Sequence, residues 1–77
     1  MNNSTGIVIH INEQLDGLKQ EKLSNDVCHF EGVVSANVNE NRPHLMIVGY
    51  NPEETKPYTV LSRVRNIGMH AQLVAWL

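Results

Sequence analysis

Residues 32–52 read GVVSANVNENRPHLMIVGYNP, and the architecture turns on them. From Val33 to Val38 the residues alternate, with Ala36 and Val38 on one face and Ser35 and Asn37 on the other, as in a half-buried strand. Asn39-Glu40-Asn41-Arg42-Pro43 is a polar turn, so the run His44 to Tyr50 becomes the second arm of a hairpin. Asn51-Pro52 then ends that arm.

Each side of the hairpin repeats one theme. Upstream, Ile7, Ile9 and Ile11 alternate with Val8 and His10 in a β-branched strand. After Asp16-Gly17 the period changes: Leu23, Val27 and Phe30 recur at steps of four and three, with Lys19, Lys22 and Asp26 mostly off that stripe, and Gly32 closes the helix. Downstream, Thr55 is placed to cap a second helix with Pro57 in its first turn, where an N–H has no partner to lose. Val60, Val64 and Ile67 form its buried stripe with Leu61 beside them, and Gly68 stops it. Ala71 to Trp76 is a last strand. The order is βαββαβ, an α+β arrangement of two split β-α-β units.

Composition narrows the function classes. Seventy-seven residues make a single domain, residues 1–77, close to the smallest size that folds on a core alone; residues 1–5 are expected to be flexible. Six Lys and Arg against eight Asp and Glu, spread along the chain, leave no electrostatic footprint for nucleic acid and no basic amphipathic stretch for a membrane surface. Met1 to Thr5 lack the charge and apolar pattern of a secretory signal, and no apolar run reaches membrane-spanning length. A lone cysteine, Cys28, excludes an internal disulfide and fits a reducing compartment, so the expected location is cytoplasmic. No enzymatic constellation stands out. The carboxylates are scattered, Ser35 and Ser62 have no nearby His, and no Gly-rich phosphate loop follows a strand.

Three local motifs go beyond the element order. Gly32-Val33 with Ala36 and Val38-Asn39 is similar to the "GV..V.VN" second strand of heavy-metal-associated domains, the small domains of copper chaperones and metal-ATPase tails. Val48-Gly49-Tyr50-Asn51-Pro52 resembles that family's "V.YDP" with Asn for Asp. Val64, Gly68 and Ala71 fall where it has "I...GY.A", with Met69 in place of Tyr. The spacings hold without gaps from Leu23 to Ala71. The resemblance implies a ferredoxin-like βαββαβ sandwich, a four-stranded antiparallel sheet with two helices on one face.

The resemblance fails at the family's metal site. Members carry Met-x-Cys-x-x-Cys between the first strand and first helix, two thiolates gripping a soft ion such as Cu(I). Counting back from Gly32, those cysteine positions fall on Asp16 and Lys19, or on Gly17 if shifted by one. A carboxylate and an ammonium are hard groups, and the second repels a cation. Other ligands for a transition metal, copper or zinc, are Cys28, His29, His10 and His70. Cys28 and His29 are adjacent on a helix, diverge by about 100° and read as surface residues. By alternation His10 and His70 point to the sheet face without helices, as diagonal neighbours. Two imidazoles are too few for a closed zinc site, so further ligands would come from a second subunit, and solvent-facing strand histidines are the plainer reading. Met69 lies where the family has a residue near the metal loop, and packs there; His44 is isolated and receives no role.

The helix-free face carries a different signal. Alternation places Val8, Leu45, Ile47, Val74 and Trp76 on it, an apolar patch of the kind that marks an interface. The expected function is a small heavy-metal-associated-like binding or assembly module with a degenerate metal site, meeting a second copy or a protein partner through that face. The alternative is a metal-binding or trafficking protein using the Cys28 and His ligands, across a dimer.

Overall fold

The computed structural model describes residues 5–77. Six elements follow the expected order: β1 (Thr5–Ile11), α1 (Gly17–Cys28), β2 (Val33–Val38), β3 (Leu45–Tyr50), α2 (Pro57–Asn66) and β4 (Ala71–Trp76). The sheet runs β2-β3-β1-β4, and every neighbouring pair is antiparallel. The flexibility expected of residues 1–5 lies, for 1–4, outside the described residues, while Thr5 opens β1 opposite Tyr50.

Ile7, Ile9 and Ile11 on β1 and Met46 and Val48 on β3 share one buried cluster with Val27 of α1 and with Val60 and Val64 of α2. A single cluster fed by alternate strand residues and both helices puts the helices on the same face of the sheet. The ferredoxin-like α+β fold follows.

Polar side chains set the joints. The Asp16 carboxylate accepts the Lys19 backbone N–H at 2.9 Å and caps α1. Asn51 Oδ1 accepts from the Glu53 N–H at 3.0 Å, turning the chain out of β3, while the Asn51 N–H reaches the Gly32 carbonyl at 2.8 Å. Gly32 has φ +83°, and a Cβ there would stand 2.8 Å from Thr55 Cγ2. It must be glycine for its backbone and for its room.

Three expectations need correction. Thr55 does not cap α2. The N-cap is Lys56, without a side-chain hydrogen bond, and Thr55 is buried against Gly32 instead. Ile67 is not part of the buried stripe, because α2 ends at Asn66 and leaves Ile67 41% exposed beyond it.

Trp76 is the third. The β1–β4 register shifts between Val8 and Ile9: Ile9 pairs with Leu73, but Val8 pairs with Ala75 and Ile7 with Trp76, leaving Val74 as the extra residue. One inserted residue reverses the facing of all that follow, so Trp76 sits opposite a core residue, on the helix side of the edge strand. Leu77 corroborates this. Its N–H bonds the Gly6 carbonyl at 2.8 Å, and its side chain lies 3.1 Å from where a Gly6 Cβ would be, on the open face.

Candidate functional site

The loop Asn12 to Asp16 closes on itself through short-range hydrogen bonds. Asp16 caps α1, and the Gln20 side-chain amide donates to the Leu15 carbonyl at 2.8 Å. Met69 is half-buried and packs against the core, close to Leu15 across a groove. Asp16 is therefore committed to the helix terminus, and Lys19, exposed, adds positive charge where a cation would have to bind. A hard carboxylate already used as a cap and an ammonium do not fit a soft metal ion.

The histidines are distributed differently from the sequence expectation. His70 does lie diagonal to His10, since the Asn12 N–H bonds the His70 carbonyl at 2.8 Å and His10 pairs with Gln72. Their rings nevertheless have separate partners. The His70 imidazole and its backbone N–H both donate to the Glu13 carboxylate, the latter at 2.8 Å. Those two hydrogen bonds, the imidazole's first, hold the Glu13 pKa below its ordinary value against a small opposing desolvation. The His10 Nδ1–H donates to Asn12 Oδ1 at 3.1 Å.

His10's ring neighbour is His44, to which the sequence assigned nothing. The two imidazoles stack with centroids 5.7 Å apart and planes 15° from parallel, and the His44 Nδ1–H donates to the Ile11 carbonyl at 2.7 Å. The signal was available, because His44 directly precedes the residue that pairs with His10, but it needs the β1–β3 register to be seen. Cys28 is exposed with Sγ 4.0 Å from the Ala36 carbonyl, and the His29 Nδ1–H donates to the Asn25 carbonyl at 2.7 Å, so the two engage different partners. Among the described residues no three His, Cys, Asp or Glu side chains converge on a possible ion position.

The open face is built by register. Ile47 pairs with Val8 on one side and Asn37 on the other, Val8 with Ala75, and Leu45 with His10. Ile47 is 41% exposed at the centre of this face, and Val8 and Leu45 are half-buried. Gly6 and Gly49 face each other in the next row, with the Leu77 side chain against one and Ser35 Oγ against the other. The patch is thus Val8, Leu45, Ile47, Ala75 and Leu77, with Val74 at the bulge.

No protein-family model matches the sequence, and no curated protein matches it. Solved structures do. A copper-binding domain from a P-type ATPase superposes with a TM-score of 0.84 at 15% identity, over 94% of this chain and 96% of that one. The N-terminal domain of a potential copper-translocating P-type ATPase from Bacillus subtilis, in its Cu(I)-loaded state, gives 0.81 at 20% identity, over 96% and 91%. A copper form of a CopA variant from Bacillus subtilis gives 0.71 at 20% identity, over 88% of each chain. At these identities the likeness is one of fold. The chain has a heavy-metal-associated-like fold, in agreement with its three motifs.

Proposed function

We propose that this heavy-metal-associated-like domain is a non-catalytic binding and assembly module that joins a second copy of itself, or a protein partner, through its open sheet face. The observation that supports it is the register that sets Ile47 between Val8 and Asn37 with Leu45 and Leu77 nearby, an apolar surface left uncovered by either helix. The site of the soft cysteine pair holds a helix cap and an ammonium instead. The lone exposed thiol of Cys28 fits a reducing compartment, and we assign the module to the cytosol on that basis. Among the described residues no helix is long and apolar enough to cross a membrane.

Sedimentation tests the contact. Ile47→Asp places a charge at the centre of the patch and should weaken self-association, or partner capture, at least about tenfold. Trp76→Ala, on the other side of the sheet, should leave it unchanged. A wild type that stays monomeric at high concentration and loses no partner on Ile47→Asp would end this assignment.

A second assignment has one observation in its favour. His10, His44 and His70 each commit Nδ1 to an oxygen acceptor, which leaves Nε2 as the lone-pair nitrogen that a transition metal such as copper or zinc takes. The similar solved structures include copper-bound domains. The near-parallel stacked rings of His10 and His44 do not aim at one point, so completion falls to a second copy. Under this assignment zinc drives dimerisation, and His10→Gln abolishes the effect. In either case Cu(I) should be lost to a chelator that a Cys-x-x-Cys domain withstands.

A further inference from the structure

We propose that the groove between α1 and the turn that follows α2, beside the closed loop, binds a small amphipathic anion: an aliphatic chain ending in a carboxylate. The groove lies on the helix side of the molecule, away from the open sheet face, so the proposal is independent of the assembly reading above. It has a volume of about 360 Å³, within the range of small-molecule sites. Its floor is aliphatic and thioether surface, from Leu15, Leu23, Ile67 and Met69. Leu15 and Leu23 are buried there, Met69 is half-buried, and Ile67, released from α2 one residue past its end, is 41% exposed at the rim.

The charges are asymmetric. Lys19 and Lys22 stand on α1 along the same groove. The Lys22 ammonium is held by Asp26 at 3.1 Å, whereas Lys19 has no ion-pair partner among the described residues. An apolar trench with one uncommitted ammonium at its edge is complementary to an apolar body carrying one negative head. Asp26 lines the same groove and offsets Lys22, so one net positive charge remains there, which a monoanion complements and a second copy of the same groove would double.

The test uses decanoate below its micelle concentration, titrated into the full chain and followed by backbone and methyl NMR shifts. Decanoate should produce saturable shifts confined to Leu15, Leu23, Ile67, Met69 and their neighbours, and decanol should bind more weakly. Lys19→Glu should weaken decanoate several-fold and leave decanol unchanged. That variant puts an acidic residue in the first turn of α1, where it favours the helix, so loss of folding does not confuse the result. Ile67→Asp, at an exposed position, should weaken both ligands, with circular dichroism showing the fold intact. Absent or scattered shifts would overturn the proposal, and so would equal binding of decanoate and decanol with Lys19→Glu indifferent. Shifts of the same residues on raising protein concentration alone would place a second copy in the groove and overturn it as well.

Discussion

The two faces of the sheet obey different rules, and β1 shows both within seven residues. Ile7, Ile9 and Ile11 face the helices and are fully buried; Gly6, Val8 and His10, alternating with them, face outward and remain partly accessible. On the covered face every position is fixed by burial, since a register slip of one residue would exchange three isoleucines for a glycine, a valine and a histidine. On the outer face and along the edge strand, little is lost by an extra residue. β4 takes one at Val74, and Trp76 changes sides.

The largest break in that comparison comes from paired substitutions on adjacent residues. Ile9→Ala should cost about 2–5 kcal/mol from lost transfer energy and the cavity left behind. A core of this size supplies only about 3–5 kcal/mol in all, so much of the population should be unfolded at room temperature. Val8→Ser, one residue away, should cost about 1 kcal/mol or less, because Val8 already meets solvent. Urea titrations of both variants measure the difference. Comparable losses would mean that the outer face is as tightly packed as the covered one.

A smaller effect separates the two left-handed glycines. Gly32 and Gly68 have φ of +83° and +98°, so alanine is strained at either. At Gly68 nothing lies within 4 Å of the new Cβ, and the cost should be about 1 kcal/mol of backbone strain alone. At Gly32 the Cβ would meet the buried Thr55 side chain at 2.8 Å, and both the α1–β2 and β3–α2 joints would have to shift. Gly32→Ala should therefore be clearly the worse variant in thermal melts. Equal melting points would show that Thr55 yields easily.

The same contrast explains what was legible in the sequence. The bounds of β2 and β4 are legible to the residue because breakers mark them, Gly32 and the polar turn from Asn39 for one and Gly68 ahead of the other, whereas α1 starts where Asp16 indicates but stops at Cys28, short of Phe30 and Gly32. Thr55 was misread because a hydroxyl before a Pro-containing first turn looks like a cap, and nothing local says that it lies buried against a glycine distant in sequence. Ile67 continues the helical period by one step after the backbone has left the helix. The bulge at Val74 has no composition cue, since no Gly marks it, and it carried Trp76 off the face to which alternation assigned it. The site fared worse than the fold. That the chain has no cysteine pair is plain from one cysteine count, but the His10–His44 stack and the groove beside Lys19 depend on register and on helix packing, which spacing does not encode.

The smallest effect lies at the end of the sheet, where Glu13 and His70 tie the first loop to the start of β4. The Glu13 carboxylate has a pKa lowered in the folded state, chiefly by the hydrogen bond from the His70 imidazole and next by that from its backbone N–H. A depressed carboxylate contributes stability that is fully present above its unfolded pKa, about 4.3, and is lost as pH falls through the lower folded value. Glu13→Gln removes that contribution at every pH. Wild type and variant should thus differ slightly near neutrality and converge as pH falls through the lowered Glu13 value. The readout nearest the contact is the His70 amide, which donates to Glu13 at 2.8 Å and should exchange with solvent faster in the variant at neutral pH. Because the contact is solvent-exposed, the global melting point should barely move. A pH-independent difference in His70 exchange would show that the side chain acts there by packing rather than by charge.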